Sequence, residues 1–420
     1  MRNDLINLLR NPDRVLNHLP LLNEKHTVIV ELGLNQVVSE LRRIRSAEDV
    51  QAFVALLAGK VGIGVAEVRE RLGVLYRTGL LEFHITDVCD LSCIDCHYRH
   101  KEGATFPFEG IIERIRQLSP SAITITGGGE PNVYRSGGRK LNDVVCAIKE
   151  FDPTIQLGLI NNNTHTPNGD WLRHINWQRS SVDAATSECY QKIKRRDKYD
   201  ACVENVQTLL RSPIPYIGVG FLYREENIEE LPDFLSVWYD VYRELPTVIA
   251  QKLNVQFRPI SPPIQDAANS NWTEMERRMN CVINVVLARA ANDDGFDTFL
   301  AEHTNFTSIT ERSSYFNHTP CPFHRCENAL LHRVLRPNGD EYPDFLLCDF
   351  PERRLGNLSE NPSEDERLLI GLRTVYYHLR MDEFCNASSC RQGWVSARIE
   401  RFWRDGERIE DLSLPPSFFF

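Results

Sequence analysis

No apolar run in this 420-residue chain approaches the roughly 20 residues that cross a bilayer. The amino terminus lacks the basic start, apolar stretch and small-residue cleavage site of a secretory signal. The expectation is a cytoplasmic protein with no membrane partner. Positive charge is also short, 48 Lys and Arg against 58 Asp and Glu, a net −10. Nothing in that balance favours a nucleic-acid partner held by overall charge. A local basic run such as Lys192, Lys194, Arg195, Arg196 and Lys198 reads as a solvated helix end rather than a binding surface. Cysteine is not scarce. There are twelve, and in a cytosolic chain they point to metal or redox chemistry rather than to a disulfide framework.

The cysteines are uneven. Cys89, Cys93 and Cys96 lie within one stretch, Cys89-Asp90-Leu91-Ser92-Cys93-Ile94-Asp95-Cys96. Cys321, Cys326, Cys348, Cys385 and Cys390 form a second group. Cys146, Cys189, Cys202 and Cys281 stand singly in helix-like sequence and read as core filler. The first group follows an apolar alternating run, Leu80 to Thr86, so it reads as a loop leaving a strand. An iron–sulfur cubane takes four ligands, and three local thiolates would leave one iron open. A zinc site completed by His97 or His100, or a group of buried thiols, are the alternatives from the loop alone.

Residues 1–78 read as mostly helical, with helical spacing in Asp4–Leu9 and Val37–Ile44. Ser46 caps a helix with an acidic first turn that runs to Ala58, and Gly59, Gly62 and Gly64 mark its break. A further helix spans Val65–Arg77. This segment is expected to pack against the rest as an extension; a winged-helix-like reader of a leader peptide or DNA is the alternative, but no paired strands complete one. From 79 to 260 strands alternate with helices. The strands are Leu81–Asp87, Ala122–Thr126, Gln156–Asn161, Ser180–Val182, Tyr216–Leu222 and Asn254–Arg258. The helices are Phe108–Leu118, Leu141–Glu150, Ser187–Lys194, Ala201–Arg211 and Ile228–Tyr242. The alternation predicts an α/β fold with parallel strands and chemistry at their carboxyl ends.

The second strand ends in Thr126-Gly127-Gly128-Gly129-Glu130-Pro131. The glycines permit close backbone approach. No Lys-Ser or Lys-Thr follows, as a phosphate loop requires, and Glu130 would repel phosphate. The three-cysteine loop and this turn, on consecutive strands, together resemble the radical S-adenosylmethionine (radical SAM) enzymes. The resemblance implies a partial (β/α)6 barrel and a 4Fe–4S cluster with an open iron on Cys89, Cys93 and Cys96. It also implies SAM held along Gly127, Gly128, Gly129, Glu130 and Pro131. Asn161, after the third strand, and Ser181 and Asp183, after the fourth, resemble further SAM-contact positions. Turn and capping chemistry is the other reading of these three. Arg258 is a candidate substrate anchor. The residue before the third loop cysteine, usually aromatic in the family, is Asp95 here, with Tyr98 nearby as a substitute adenine contact.

Pro259 to Pro263 reads as a boundary, followed by a linker over 261–318 with an amphipathic helix at Trp272–Asn292. Residues 319–395 resemble the auxiliary-cluster extension called SPASM, or its shortened form, twitch. In this reading Arg336–Tyr342 forms a turn, and Leu346-Leu347-Cys348 closes the hairpin. The resemblance implies a second 4Fe–4S cluster on Cys326, Cys348, Cys385 and Cys390, with Cys321 as the alternate. Eight residues separate Gly339 from Cys348 where the family has four. Cys321, His324 and Cys326 also offer a zinc alternative. Residues 396–420 read as a helix and tail. The implied activity is SAM cleavage to a 5′-deoxyadenosyl radical and hydrogen abstraction from a polar small molecule. The implied electron donor is a flavodoxin or ferredoxin. A peptide-modifying maturase and a non-catalytic iron–sulfur or zinc scaffold are the alternatives.

Overall fold

The computed structural model describes residues 19–94, 96, 103–260, 272–306, 325–348, 350–357 and 362–384. The expectations at Asp4–Leu9, Asp95, His97, Tyr98, His100, Pro262, Pro263, Cys321, His324, Cys385, Cys390 and the tail lie outside them. Helices α1 (Leu19–Glu31), α2 (Ala47–Val61) and α3 (Val65–Gly73) open the described chain. Ser46 caps α2 as expected, in a reciprocal pair with Asp49. Helix α2 does not stop at Ala58. It passes through Gly59 and ends at Gly62, whose φ of 73° supplies the left-handed cap. An internal glycine costs about 1 kcal/mol, and burial of Val50, Phe53, Val54 and Leu57 on the same helix outweighs it.

Six strands follow: β1 (Leu80–His84), β2 (Ala122–Thr126), β3 (Gln156–Asn161), β4 (Trp177–Ser181), β5 (Tyr216–Tyr223) and β6 (Leu253–Pro259). Between them lie α4 (Phe108–Leu118), α5 (Leu141–Phe151), α6 (Ser187–Lys194), α7 (Tyr199–Leu210) and α8 (Leu231–Glu244). All neighbouring pairs from β1 to β6 are parallel and in sequence order, giving the expected partial barrel of parallel strands. Strand β4 begins at Trp177, not Ser180. Its polar Gln178 hides it from an apolar pattern, because Gln178 is buried and donates to Asn161 Oδ1 at 3.1 Å.

Helix α10 (Asp294–His303) packs against the edge strand β6, and α9 (Trp272–Ala290) packs against α8 and α10. The short helix α11 (Glu327–Leu331) leads into β7 (His332–Leu335), β8 (Asp340–Tyr342) and β9 (Gly356–Asn357), and α12 (Glu364–Leu379) follows. Strand β7 pairs with β1 in parallel, so one nine-stranded sheet runs through the core and the cysteine-rich region. The expected hairpin partner Leu346–Cys348 is corrected. The strand facing β7 is β8, and Phe345–Leu347 is a tight helical turn. Helix α12 shares a core with α1 and α2 through Leu368, Leu372 and Val375. Buried Lys25 of α1 donates to the carbonyls of Leu330 at 2.6 Å and Leu75 at 3.3 Å. Among the described residues no single helix is long and apolar enough to cross a membrane.

Register separates the two faces of the sheet. Leu81, Ile123, Leu157, Ile217 and Leu253 align on one face and join the core with residues of α4, α5, α7 and α8. The other face carries Glu82, His84, Thr124, Thr126, Arg179, Gln256 and Arg258, a polar surface inside the partial barrel.

Candidate active site

The cysteine loop and the glycine turn leave the carboxyl ends of adjacent strands, with His84 opposite Thr126 in register. The glycines serve close packing against the chain that feeds the loop. A Cβ on Gly127 would stand 2.2 Å from His84 Nε2, one on Gly128 2.3 Å from Asp87 Oδ1, and one on Gly129 1.9 Å from the Val88 carbonyl oxygen. Gly127 and Gly128 also have φ near +60°. The backbone N–H of Gly129 donates to Thr86 O at 2.7 Å, and that of Glu130 to Val88 O at 2.8 Å. The turn therefore holds the root of the cysteine loop.

Further along, the loop is fastened to the end of α6. The N–H of Ser92 donates to Lys194 O at 3.2 Å and that of Ile94 to Ile193 O at 3.0 Å. Cys89, Cys93 and Cys96 are not engaged in disulfides, and each is partly exposed. Asp90, between the first two, accepts from Asn162 Nδ2 at 2.6 Å, which ties the loop to the end of β3.

Glu130 is buried. It accepts from the N–H of Asn132 at 2.9 Å, from Asn132 Nδ2 at 2.7 Å and from the N–H of Asn162 at 2.7 Å. Burial pushes its carboxyl up to about 7, against the N–H donors of Asn162 and Asn132, which favour the ionised form. Pro131 opens the tight turn that follows. Asn161 is buried beneath, bonded to Gln178. Ser181 is half-buried at the end of β4.

Asp183 is buried with φ of 63°. One carboxylate oxygen accepts from Lys194 Nζ and the other from the N–H of Leu222 at 2.7 Å. Burial would raise its pKa, but the Lys194 and Arg224 charges outweigh it and hold the carboxyl below its usual value. Lys194 is pushed up: burial opposes this, and Asp183 and then the Cys93 sulfur overcome it. The ammonium thus sits near Cys93. Arg258 donates to Gln256 Oε1 at 3.1 Å on the polar face.

In the second cysteine group, Cys348 is buried and Cys326 partly buried, and both pack with Val334, Tyr342 and Tyr377. The single cysteines divide. Cys189 and Cys202 are buried as expected, but Cys281 is exposed on α9 and Cys146 is only partly buried. A helix with one apolar stripe accepts a small thiol on either side, so spacing alone misplaces it.

Several residues escaped the sequence reading. Glu82 bonds His84 at 2.9 Å and lies 3.4 Å from His332, across the β1–β7 seam. The polar alternation Glu82, His84, Thr86 was the available signal. Lys194 is a correction: it stood in the basic run read as a solvated helix end, but it is buried against Asp183, 11 positions earlier. Arg336 gave no signal, since Asp87 lies 249 positions away.

No family model matches the chain. Among curated proteins it resembles probable GTP 3′,8-cyclases of Saccharolobus islandicus, at 22% identity over 171 residues. That match takes in 37% of this chain and 52% of the relative, so the chain spans about half the length of the curated relatives it matches. A cyclase of the same name from Saccharolobus solfataricus matches at 22% over 167 residues. Among solved structures, Streptococcus suis SuiB bound to precursor peptide SuiA aligns with TM-score 0.49 and 13% identity, covering 72% of this chain and 66% of that one. The anSMEcpe enzyme with AdoMet and a Cp18Cys peptide aligns with TM-score 0.49 and 12% identity, covering 80% and 99%. Two motifs sit side by side at paired strand ends on a parallel α/β sheet, and in both the chain resembles the radical SAM enzymes.

That resemblance implies a cubane cluster and SAM, and the residues present suit both. The donor set is three partly exposed thiols, none in a disulfide, on one loop anchored at both ends. Thiolate is the soft ligand that iron–sulfur clusters take.

Proposed function

We propose that this chain cleaves SAM reductively and abstracts a hydrogen from a polar small molecule held inside the partial barrel. Cys89, Cys93 and Cys96 would hold a 4Fe–4S cluster. When bound, that cluster would supply the electron that splits SAM to methionine and a 5′-deoxyadenosyl radical. The observation that carries this reading is the meeting of the cysteine loop and the glycine turn at the β1 and β2 ends, above the polar sheet face. The backbone edge Gly127 to Pro131 is read as the SAM cradle. Asn161, Ser181 and Asp183 shape its far side. For Asp183 the bonds to Lys194 and Leu222 support a positioning part, since both carboxylate oxygens already have partners.

The polar face supports a hydrophilic substrate. Arg179 lies against Gly218 and Gly220, which leave room for its stem, and Arg258 stands one strand further on. Two guanidinium groups suit an anionic or strongly hydrogen-bonding metabolite. The cyclases matched above are named for GTP, which is such a metabolite. The described amino-terminal helices share a core with α12, in favour of a packing extension and against a leader-peptide reader. Cys326 and Cys348 are read as two ligands of an auxiliary 4Fe–4S cluster, with Cys385 and Cys390, or Cys321, as the others. That cluster would take up an electron in a net oxidation. A cytoplasmic location and a flavodoxin-like or ferredoxin-like donor follow from this chemistry.

The test is anaerobic reconstitution, with 5′-deoxyadenosine and iron measured on the wild type and on the Cys89/Cys93/Cys96→Ala triple variant. The expected result is deoxyadenosine from the wild type only, with about eight irons falling to about four. No deoxyadenosine from the reduced, loaded wild type would make the chain a non-catalytic scaffold. About four irons falling to none would remove the auxiliary cluster.

A further inference from the structure

We propose that His26, Glu327 and His378 form a binding site for one divalent transition-metal ion, of which zinc is the natural probe. The three come from α1, the start of α11 and the last turn of α12. One donor atom from each lies within 4.8 Å of the other two. Glu327 and His378 are 2% and 0% exposed. The His26 side chain is 18% exposed and opens the site to solvent.

The orientation of His378 carries the inference. Its Nδ1 lies 3.1 Å from the Cys326 carbonyl oxygen, so that nitrogen carries the proton and donates it. Nε2 is then a lone pair, fully buried, with no hydrogen-bond partner. A buried acceptor left without a donor has lost the hydrogen bonds that water would give it. A histidine that donates one N–H to a backbone carbonyl and points the other nitrogen at an ion is the usual arrangement of a metal ligand.

Hydrogen bonding alone accounts for less. His26 Nε2 lies 2.7 Å from Glu327 Oε2, a good pair by itself. It leaves His378 edge-on to His26, with ring centroids 5.6 Å apart, and gives Nε2 nothing. It also leaves an anionic carboxylate buried between two imidazoles. A divalent ion answers both needs. Two imidazoles and one carboxylate form a donor set that zinc and ferrous iron accept, with water completing the shell. The ion would fasten the amino-terminal helices to the segment that carries Cys326. The site uses no thiol, so it stands whether or not a second cluster forms.

The experiment uses the full chain, reconstituted anaerobically with iron and sulfide, desalted, exposed to zinc and freed of loose metal by gel filtration. Metals are then counted by mass spectrometry on wild type, His26→Ala and Glu327→Gln. His26 is partly exposed, so its replacement leaves the core intact and keeps the test valid if the Glu327 variant fails to fold. The expected result is about one zinc per wild-type chain. Retention should fall roughly tenfold or more in His26→Ala, with iron and deoxyadenosine formation unchanged. Zinc should raise the Tm of the wild type and not of His26→Ala. About one iron fewer in His26→Ala, with no zinc in either protein, supports the site with ferrous iron as occupant. Equal zinc in wild type and His26→Ala, or zinc lost only on replacing the carboxyl-terminal cysteines, overturns it.

Discussion

The guanidinium of Arg336 lies 3.3 Å from both carboxylate oxygens of Asp87, across 249 positions of sequence. Its other arm donates to the Cys348 carbonyl at 3.2 Å. One side chain thus joins the root of the first cysteine loop to the second cysteine group. Asp87 is buried and Arg336 nearly so. Removing one partner of such a pair costs about 3–5 kcal/mol, because the other charge stays buried. Arg336→Ala is expected to lose about 3 kcal/mol of unfolding free energy and to release iron faster. Arg336→Lys should recover only part, since an ammonium lacks the fork. Denaturant unfolding and timed iron retention check this. A stability within about 0.5 kcal/mol of wild type, the range of ordinary surface changes, would remove the link.

Gly129 and Gly138 make opposite predictions from the same substitution. At Gly129 the new Cβ meets a backbone carbonyl at 1.9 Å, which no side-chain rotation relieves. Gly138 has φ of 81° but open space around it. Gly138→Ala should cost about 1–2 kcal/mol, the left-handed penalty alone. Gly129→Ala should cost more than about 3 kcal/mol and abolish cluster assembly. Equal Tm values for the two variants would contradict the packing account.

Lys194 links Asp183 to the loop that carries Cys93. Lys194→Met leaves a buried carboxylate and is expected to cost about 3–5 kcal/mol. Asp183→Asn alone should cost a similar amount. The double variant should cost less than the sum, since neither charge is then stranded. Chemical denaturation of the four proteins measures the coupling, and strict additivity would mean the pair does not act as one unit.

The β1–β7 seam should make stability pH-dependent. Burial lowers the His332 pKa, but the hydrogen bond and charge of Glu82 outweigh it and hold it above the ordinary value. Burial raises that of Glu82, and the bonds from His332 and His84 reverse it to well below the carboxylate range. A raised histidine stabilises the fold fully below its unfolded pKa of about 6.5 and loses this as pH rises through the folded value. Wild-type Tm should therefore decline on the alkaline side, and His332→Gln should flatten that decline. Parallel Tm curves from pH 6 to 9 would show that His332 is uncharged in the fold.

Much of this was legible in sequence. The first cysteine loop, the glycine turn and the strand–helix alternation depend on residues close in the chain, and local chemistry sets them. The approximate ends of α4 to α7 followed from the same periodicity, and Ser46 marked its cap. Strand β4 was misplaced because Gln178 is a buried polar residue satisfied by Asn161 on the next strand, which no local pattern reports. The hairpin partner of β7 was misplaced for a similar reason. Leu346-Leu347-Cys348 is apolar enough for a strand but turns tightly, while the polar Asp340–Tyr342 takes the ladder.

Sequence by itself determined the family resemblance, the three thiols and the parallel α/β class, because each is written in residues a few positions apart. Tertiary structure alone decided that β7 extends the core sheet, that Asp183 answers Lys194, that Arg336 answers Asp87, and that His26, Glu327 and His378 converge. Each of these contacts joins segments whose own sequences are satisfied by many partners. Only the packed sheet and its helices bring one partner within bonding distance and remove the water that would otherwise take its place.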